Sequence, residues 1–180
     1  ILYEIDKIKL KSSVITIGSY DGIHRGHFHI INKVFSISNQ LNTSSVVITF
    51  DPHPRNLIGN PKEKVKLLMS LEKKIELIKS FSIDYLVILK FDAKLMNMDA
   101  EVFLKNFLIK NLNPKCIVSG KNHTFGHNRS GDIEYLKKFC MVNNIALEVV
   151  KPLTDSEMII SSTNIRNLIE NGFIRRANYE

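Results

Sequence analysis

Cysteine is nearly absent. Cys116 and Cys140 are too few for a disulfide framework, and they fall in a predicted strand and a predicted helix, where buried free thiols belong. No apolar run approaches the ~20 residues of a membrane-spanning helix, so no membrane partner is expected. No secretory leader is recognisable at Ile1, and a cytoplasmic location is expected. The chain carries a net charge of +7 but no arginine-rich tract. Its lysines are spread along the chain, which sets nucleic acid aside and suits small molecules that bear phosphate. There is no internal repeat and no low-complexity linker. No Gly-Lys-Ser/Thr closes a Walker loop, no GxGxxG follows a strand, and no Ser-His-Asp or Cys-His set stands out.

What is present is ordinary in bulk. Hydrophobic residues make up 44% and charged ones 24%, and 180 residues suffice for one domain, 1–180, with a full core. Val14-Ile15-Thr16-Ile17 reads as a buried strand, followed by Ile30, Ile31, Val34, Phe35 and Leu41 at helical spacing. Further strands are predicted at 45–50, 84–89, 116–118 and 146–150. Ser70 is expected to cap a helix with Leu71, Ile75, Ile78 and Phe81 on one face, its lysines forming the solvated side. Asp99 is expected to cap a helix carrying Val102, Phe103 and Phe107. Residues 1–10 alternate as a short edge strand would, and 55–69 read as a mobile excursion containing Gly59 and Pro61. Strands alternating with amphipathic helices predict an α/β fold with about five parallel strands flanked by helices.

The chemistry sits in the loops. Gly18-Ser19-Tyr20-Asp21-Gly22-Ile23-His24-Arg25-Gly26-His27 joins the first strand to its helix. Its three glycines let backbone N–H groups approach a ligand, and a helix N-terminus carries positive potential. His24 and His27 add donors at the same place, so the stretch reads as a nucleotide-phosphate site. A zinc set of His24, His27 and His29 has no cysteine or carboxylate cluster to complete it, and no metal ligand is assigned. Asp51-Pro52-His53-Pro54 ends the second strand with a rigid loop on the edge where open α/β sheets bind ligands. The stretch 119–132 holds three glycines, two histidines and an arginine, more than a turn needs. Near the end, Ile160-Ser161-Ser162-Thr163-Asn164-Ile165-Arg166 places three hydroxyls before an amphipathic turn. One is enough for a cap, which leaves Ser162 and Thr163 to build a second anion site with Arg166 one turn on. All six histidines fall after strands one, two and four, and are expected to converge on one sheet edge.

The first motif, G-x-x-D-G-x-H-x-G-H, resembles the HxGH signature of the nucleotidyltransferase superfamily, which includes adenylyl- and cytidylyltransferases and class I aminoacyl-tRNA synthetases. With FDPHP, SGKNHTFG and ISSTNIR in order, nearly the whole chain resembles the adenylyltransferase module of bacterial bifunctional riboflavin kinase/FAD synthetases. The resemblance implies a Rossmann-like nucleotidyltransferase fold that makes FAD and pyrophosphate from FMN and ATP, with Mg2+ carried mainly on the ATP phosphates. It implies that His24 and His27 hold the phosphates, with Ser162, Thr163 and Arg166 gripping them from the opposite side. Gly18, Tyr20, Asp21, Gly22 and Gly26 would cradle the nucleotide; Pro52, His53, Pro54, Asn122 and Phe125 would surround the reacting phosphates and the flavin. The family commonly has Asp-Phe where this chain has Asn122-His123, and Phe and Glu where it has Tyr20 and Asp51. It also implies fusion to a C-terminal riboflavin kinase module. The fourteen residues after Arg166 read as the end of one helix and a basic tail, too little for that module. Three other readings compete: a transferase of the same superfamily acting on another phosphorylated molecule, a non-catalytic nucleotide-binding module, and a metal-dependent hydrolase. FDPHP together with ISSTNIR favours FMN over the other acceptors.

Overall fold

A computed structural model describes residues 1–58, 64–156 and 158–180. Five parallel strands form one sheet in the order β3-β2-β1-β4-β5, with β1 (Ser13–Ile17), β2 (Ser44–Asp51), β3 (Tyr85–Lys90), β4 (Pro114–Gly120) and β5 (Ala146–Val150). The chain leaves β1 toward β2 and β3, then returns to place β4 on the other side of β1. That reversal opens a crevice at the carboxyl ends of β1 and β4, the usual ligand position in such sheets.

The strands are apolar on both faces because helices cover both. Ile15, Val46, Ile48, Val87, Leu89 and Ile117 face one side. They meet Leu104, Leu108 and Leu112 from a continuous helical run, α4 (Ala100–Val102), a π stretch (Phe103–Ile109) and α5 (Lys110–Leu112). Leu136 and Phe139 of α6 (Ile133–Val142) join the same side. Their neighbours Val47, Leu86 and Ile88 point the other way, onto Ile31 of α1 (Arg25–Gln40) and Ile78 of α2 (Leu71–Lys79). Val14 and Val118 pack there against Val34 of α1. A short α3 (Ala93–Met96) follows β3, and β6 (Thr154–Asp155) and β7 (Met158–Ile159) form a small antiparallel pair before α7 (Ser162–Glu170) and α8 (Ile174–Tyr179).

Ser70 and Asp99 cap their helices as expected, Ser70 Oγ accepting from Lys73 N and Asp99 Oδ1 from Glu101 N. Both cysteines are buried and free. Residues 1–10 do not form an edge strand. Only Leu2 pairs with β3, and Ile5–Lys7 is a 3₁₀ turn, because Ile5 and Ile8 share a three-residue spacing that turns both into the core. The end of the chain also differs from a plain tail. In α8, Tyr179 lies under the Arg25 guanidinium at 4.9 Å, and the Glu180 carbonyl accepts from Arg25 N at 2.8 Å. Gly59 and Pro61 of the expected excursion lie outside the described residues.

Candidate active site

The crevice is a cleft of ≈ 660 Å³ walled by the loops after β1, β2, β4 and β5 and by the start of α7. Gly18, Tyr20, Asp21, His24, Gly26, His27, His53, Pro54, Asn122, Phe125, Ser162, Thr163 and Arg166 all line it, so the expected segments meet around one space. Gly22 and Pro52 do not. Gly22 is at φ +88°, and a Cβ there would stand 2.7 Å from Leu68, so it serves the turn and its packing. Pro52 lies exposed at the end of β2, beyond the lining. His29, two residues past His27, projects from the exposed side of α1, so five histidines converge rather than six, and the zinc set of His24, His27 and His29 does not assemble. Residues two apart on a helix lie on different faces.

His24 and His53 are built alike. His24 caps α1, its Nδ1 accepting from His27 N at 3.4 Å; His53 caps the 3₁₀ turn Pro54–Asn56, its Nδ1 accepting from Arg55 N at 3.2 Å. An Nδ1 that accepts carries no proton, so each neutral ring bears its hydrogen on Nε2. Burial lowers both pKa values to about 4, against a partial upward pull from Asp21. Both rings are therefore neutral donors near pH 7. His24 stacks on His27 at 3.7 Å, and a Cβ at residue 26 would press to 3.1 Å on the His24 ring, which is why glycine sits there. Burial, then repulsion from His24 when that ring is protonated and from the Lys74 ammonium, push His27 well below the usual histidine value, and its buried Nδ1 has no partner. Tyr20 backs the His27 ring edge-on at 5.1 Å and turns its hydroxyl inward to Thr16 Oγ1 at 2.7 Å.

The opposite wall is α7. Ser161 does the capping, its Oγ accepting from Asn164 N at 3.2 Å. Ser162 Oγ donates to the Asp21 carbonyl at 2.7 Å, while Thr163 is exposed beside the cleft. Arg166 forms an ion pair with the buried Asp21 carboxylate and donates through Nε to the Lys66 carbonyl at 2.7 Å. Asp21 also accepts from Leu68 N at 3.0 Å, so one carboxylate ties the first loop, the segment before α2 and α7 together. Between these walls the cleft has an apolar side that includes Phe50, Phe91, Met98, Phe103 and Phe125, with the His123 ring 5.7 Å from that of Phe125. Burial lowers the His123 pKa to about 4 as well.

Sequence reasoning assigned the lysines of α2 to solvent, and for Lys74 that is wrong. Lys74 is 6% exposed, and its Nζ donates to the Ser19 carbonyl at 2.8 Å. Leu71, Lys74, Ile75 and Ile78 follow helical spacing, so the pattern placed Lys74 on the inner face and only its charge argued against it.

The low histidine values fix a pH dependence. The unfolded chain binds protons on histidine near pH 6.5. The folded one does so only near 4 at His24, His53 and His123. Between those values the unfolded state holds more protons, so stability falls as pH drops through the window. Melting temperatures measured by calorimetry are expected to decline from about pH 6.5 toward pH 4. The histidines should contribute no slope above about pH 7, and a flat profile between pH 6.5 and 4.5 would contradict the buried neutral state.

Comparison with known proteins gives a consistent result. The FAD synthetase family model matches residues 6–164. The bifunctional riboflavin kinase/FMN adenylyltransferase of Buchnera aphidicola subsp. Schizaphis graminum is 36% identical over 172 residues, covering 94% of this chain and 54% of that protein. The chain thus spans about half the length of the curated relatives it matches. A Streptococcus pneumoniae structure described as a macrolide-efflux protein superposes with a TM-score of 0.83 at 27% identity, covering 98% of this chain and 57% of that one. Pantoate-beta-alanine ligase from Francisella tularensis shares the fold alone, with a TM-score of 0.57 at 14% identity over 94% of this chain and 69% of its own. No helix among the described residues is long and apolar enough to cross a membrane.

Proposed function

The chain belongs to the FAD synthetase family, and from that premise we propose that it transfers AMP from ATP to FMN, giving FAD and pyrophosphate. The observation that carries the reading is one cleft in which neutral histidine donors face hydroxyl and guanidinium groups across a space with an apolar side. In this reaction an FMN phosphate oxygen attacks the ATP α-phosphorus, a new P–O bond forms, and the bond to the bridging oxygen of pyrophosphate breaks. The nucleophile arrives already ionised, so the protein needs no covalent partner and no strong base. It must align the two phosphates and stabilise charge as it shifts to the leaving group.

His24 and His27 take the phosphates at the start of α1, where the helix potential adds to their N–H donors. Thr163 and Arg166 address them from α7; Arg166 uses part of its five-donor fork on Asp21 and Lys66 and keeps the rest. Gly18, Asp21 and Gly26 shape the cradle, and Tyr20 supports it from behind. His53, Pro54, Asn122 and Phe125 border the place where the flavin phosphate and ring would lie. Magnesium would be carried mainly on the ATP phosphates, as is usual for this ion at nucleotide sites. When present it would neutralise phosphate charge. One domain would carry all of this, in the cytoplasm and within a longer protein that joins it to a riboflavin kinase module, as the names of its half-covered relatives suggest.

Incubation with ATP, magnesium and FMN, read by chromatography, is expected to yield FAD with equal pyrophosphate. Folded protein that forms none overturns the reading. Thr163→Ala is expected to raise the KM for ATP about tenfold or more, since a hydrogen bond to a charged phosphate is worth about 1.5–3 kcal/mol. Its melting temperature should stay within a few degrees, because Ser161 and not Thr163 provides the cap. Unchanged kinetics with a lowered melting point would make Thr163 a structural residue only.

A further inference from the structure

Lys74 is the least expected charge in the molecule. It is buried, lies outside the lining of the cleft, and spends a hydrogen bond on a backbone carbonyl, Ser19, at 2.8 Å. The same carbonyl accepts from the fully buried Thr49 Oγ1 at 3.2 Å. Two side chains from two elements, α2 and β2, therefore converge on one peptide oxygen of the loop that follows β1. Burying an ammonium is costly, and it is tolerated here beside the carboxylates of Asp21 and Asp51, which partly offset the downward pull of burial on its pKa.

The consequence lies on the other side of that peptide. In a trans peptide the C=O and the following N–H point in opposite directions. Fixing the Ser19 oxygen toward α2 and β2 turns the Tyr20 N–H the other way. Among the described residues, none of the N–H groups from Ser19 to His24 donates to a protein acceptor. The loop holds positive φ at Tyr20 (46°), Gly22 (88°) and Ile23 (31°), the kind of alternation that gathers successive N–H groups into an anion-binding concavity. Such a loop has no ladder or helix to hold its shape, so something else must.

We propose that Lys74 is a positioning residue of the nucleotide site: with Thr49 it clamps the Ser19 carbonyl so that the Tyr20 N–H, on the far side of that peptide in the cleft lining, faces the triphosphate. The inference rests on the reading that ATP binds in this cleft. It assigns Lys74 to the ATP side of the reaction and gives it no contact with substrate. Lys74→Met keeps the length and apolar stem of the side chain and removes the donor. Thr49→Val keeps the shape and removes the second donor alone.

Dissociation constants for ATP and for FMN, measured by calorimetry on the whole chain, test it. Lys74→Met is expected to weaken ATP about tenfold or more and Thr49→Val several-fold, hydrogen bonds from charged donors being the stronger. FMN affinity should stay at the wild-type value in both. Lys74→Arg, which keeps a charged donor, is expected to recover part of the loss. Wild-type ATP affinity in Lys74→Met overturns the proposal, and so does an equal loss for ATP and FMN, which marks general damage. If Lys74→Met fails to fold, Thr49→Val decides: unchanged ATP affinity there overturns the proposal as well. Wild-type protein that binds no ATP would overturn the proposed function itself, a separate result that takes this inference with it.

Discussion

His27→Ala is expected to slow FAD formation by about 10²–10³-fold, the usual cost of losing one donor aimed at charge that develops in a transition state. His27 lies in the first turn of α1, where the helix potential favours an anion, and its ring lines the cleft. Burial and the nearby charge of Lys74 hold it neutral. A ring in service of the fold alone would have both nitrogens satisfied, whereas Nδ1 of His27 is buried without a partner. Removing the ring forfeits its stack on His24 but also removes that unpaired atom, so the fold should survive with a melting temperature near that of the parent. His24→Ala should lower the rate similarly, with some loss of stability because it caps α1. His29→Ala, on the outer side of the same helix, should do nothing. A folded His27→Ala protein with near-parental turnover would remove His27 from the reaction.

Arg166→Met is expected to damage both stability and ATP binding, and a second substitution separates the two. The Asp21 side chain is 3% exposed and that of Arg166 13%, so the pair is largely buried and Asp21 is poorly hydrated when its partner leaves. Breaking one half of a buried pair typically costs about 3–5 kcal/mol, because an uncompensated charge remains. Urea unfolding of Arg166→Met should show a loss of that order. The double variant Asp21→Asn/Arg166→Met removes both charges and should regain much of the stability. It should not regain ATP affinity, because the guanidinium donors are still missing. Recovery of stability and ATP binding together would reduce Arg166 to a counter-ion for Asp21. An Arg166→Met protein that unfolds with the parent would show that the pair contributes nothing.

Much of this protein was written locally. The β-branched runs at 14–17 and 45–50, the caps at Ser70 and Asp99 and the glycines of the first loop each act within a few residues, and the structure has strands, caps and a turn where they stand. The four motifs were legible because each stands at the end of a strand or the start of a helix, and a parallel sheet puts those ends on one edge. His29 misled because sequence proximity to His27 says nothing about which face of α1 it takes. Gly22 misled because glycine serves a turn as readily as a ligand.

The partners of the polar groups around the cleft are set over long stretches of chain. Asp21 and Arg166 meet across 145 positions of chain, Lys74 reaches Ser19 across 55, and Ser162 finds the Asp21 carbonyl across 141. Hydrophobic periodicity and capping are properties of a few consecutive residues, so the elements, their order and the loops that carry chemistry follow from local patterns. The worth of a charge depends on how dry its surroundings are and on which opposite charge stands within a few ångströms. No local pattern records that. It came into being only when the crossovers brought α2 and α7 against the loop that follows β1.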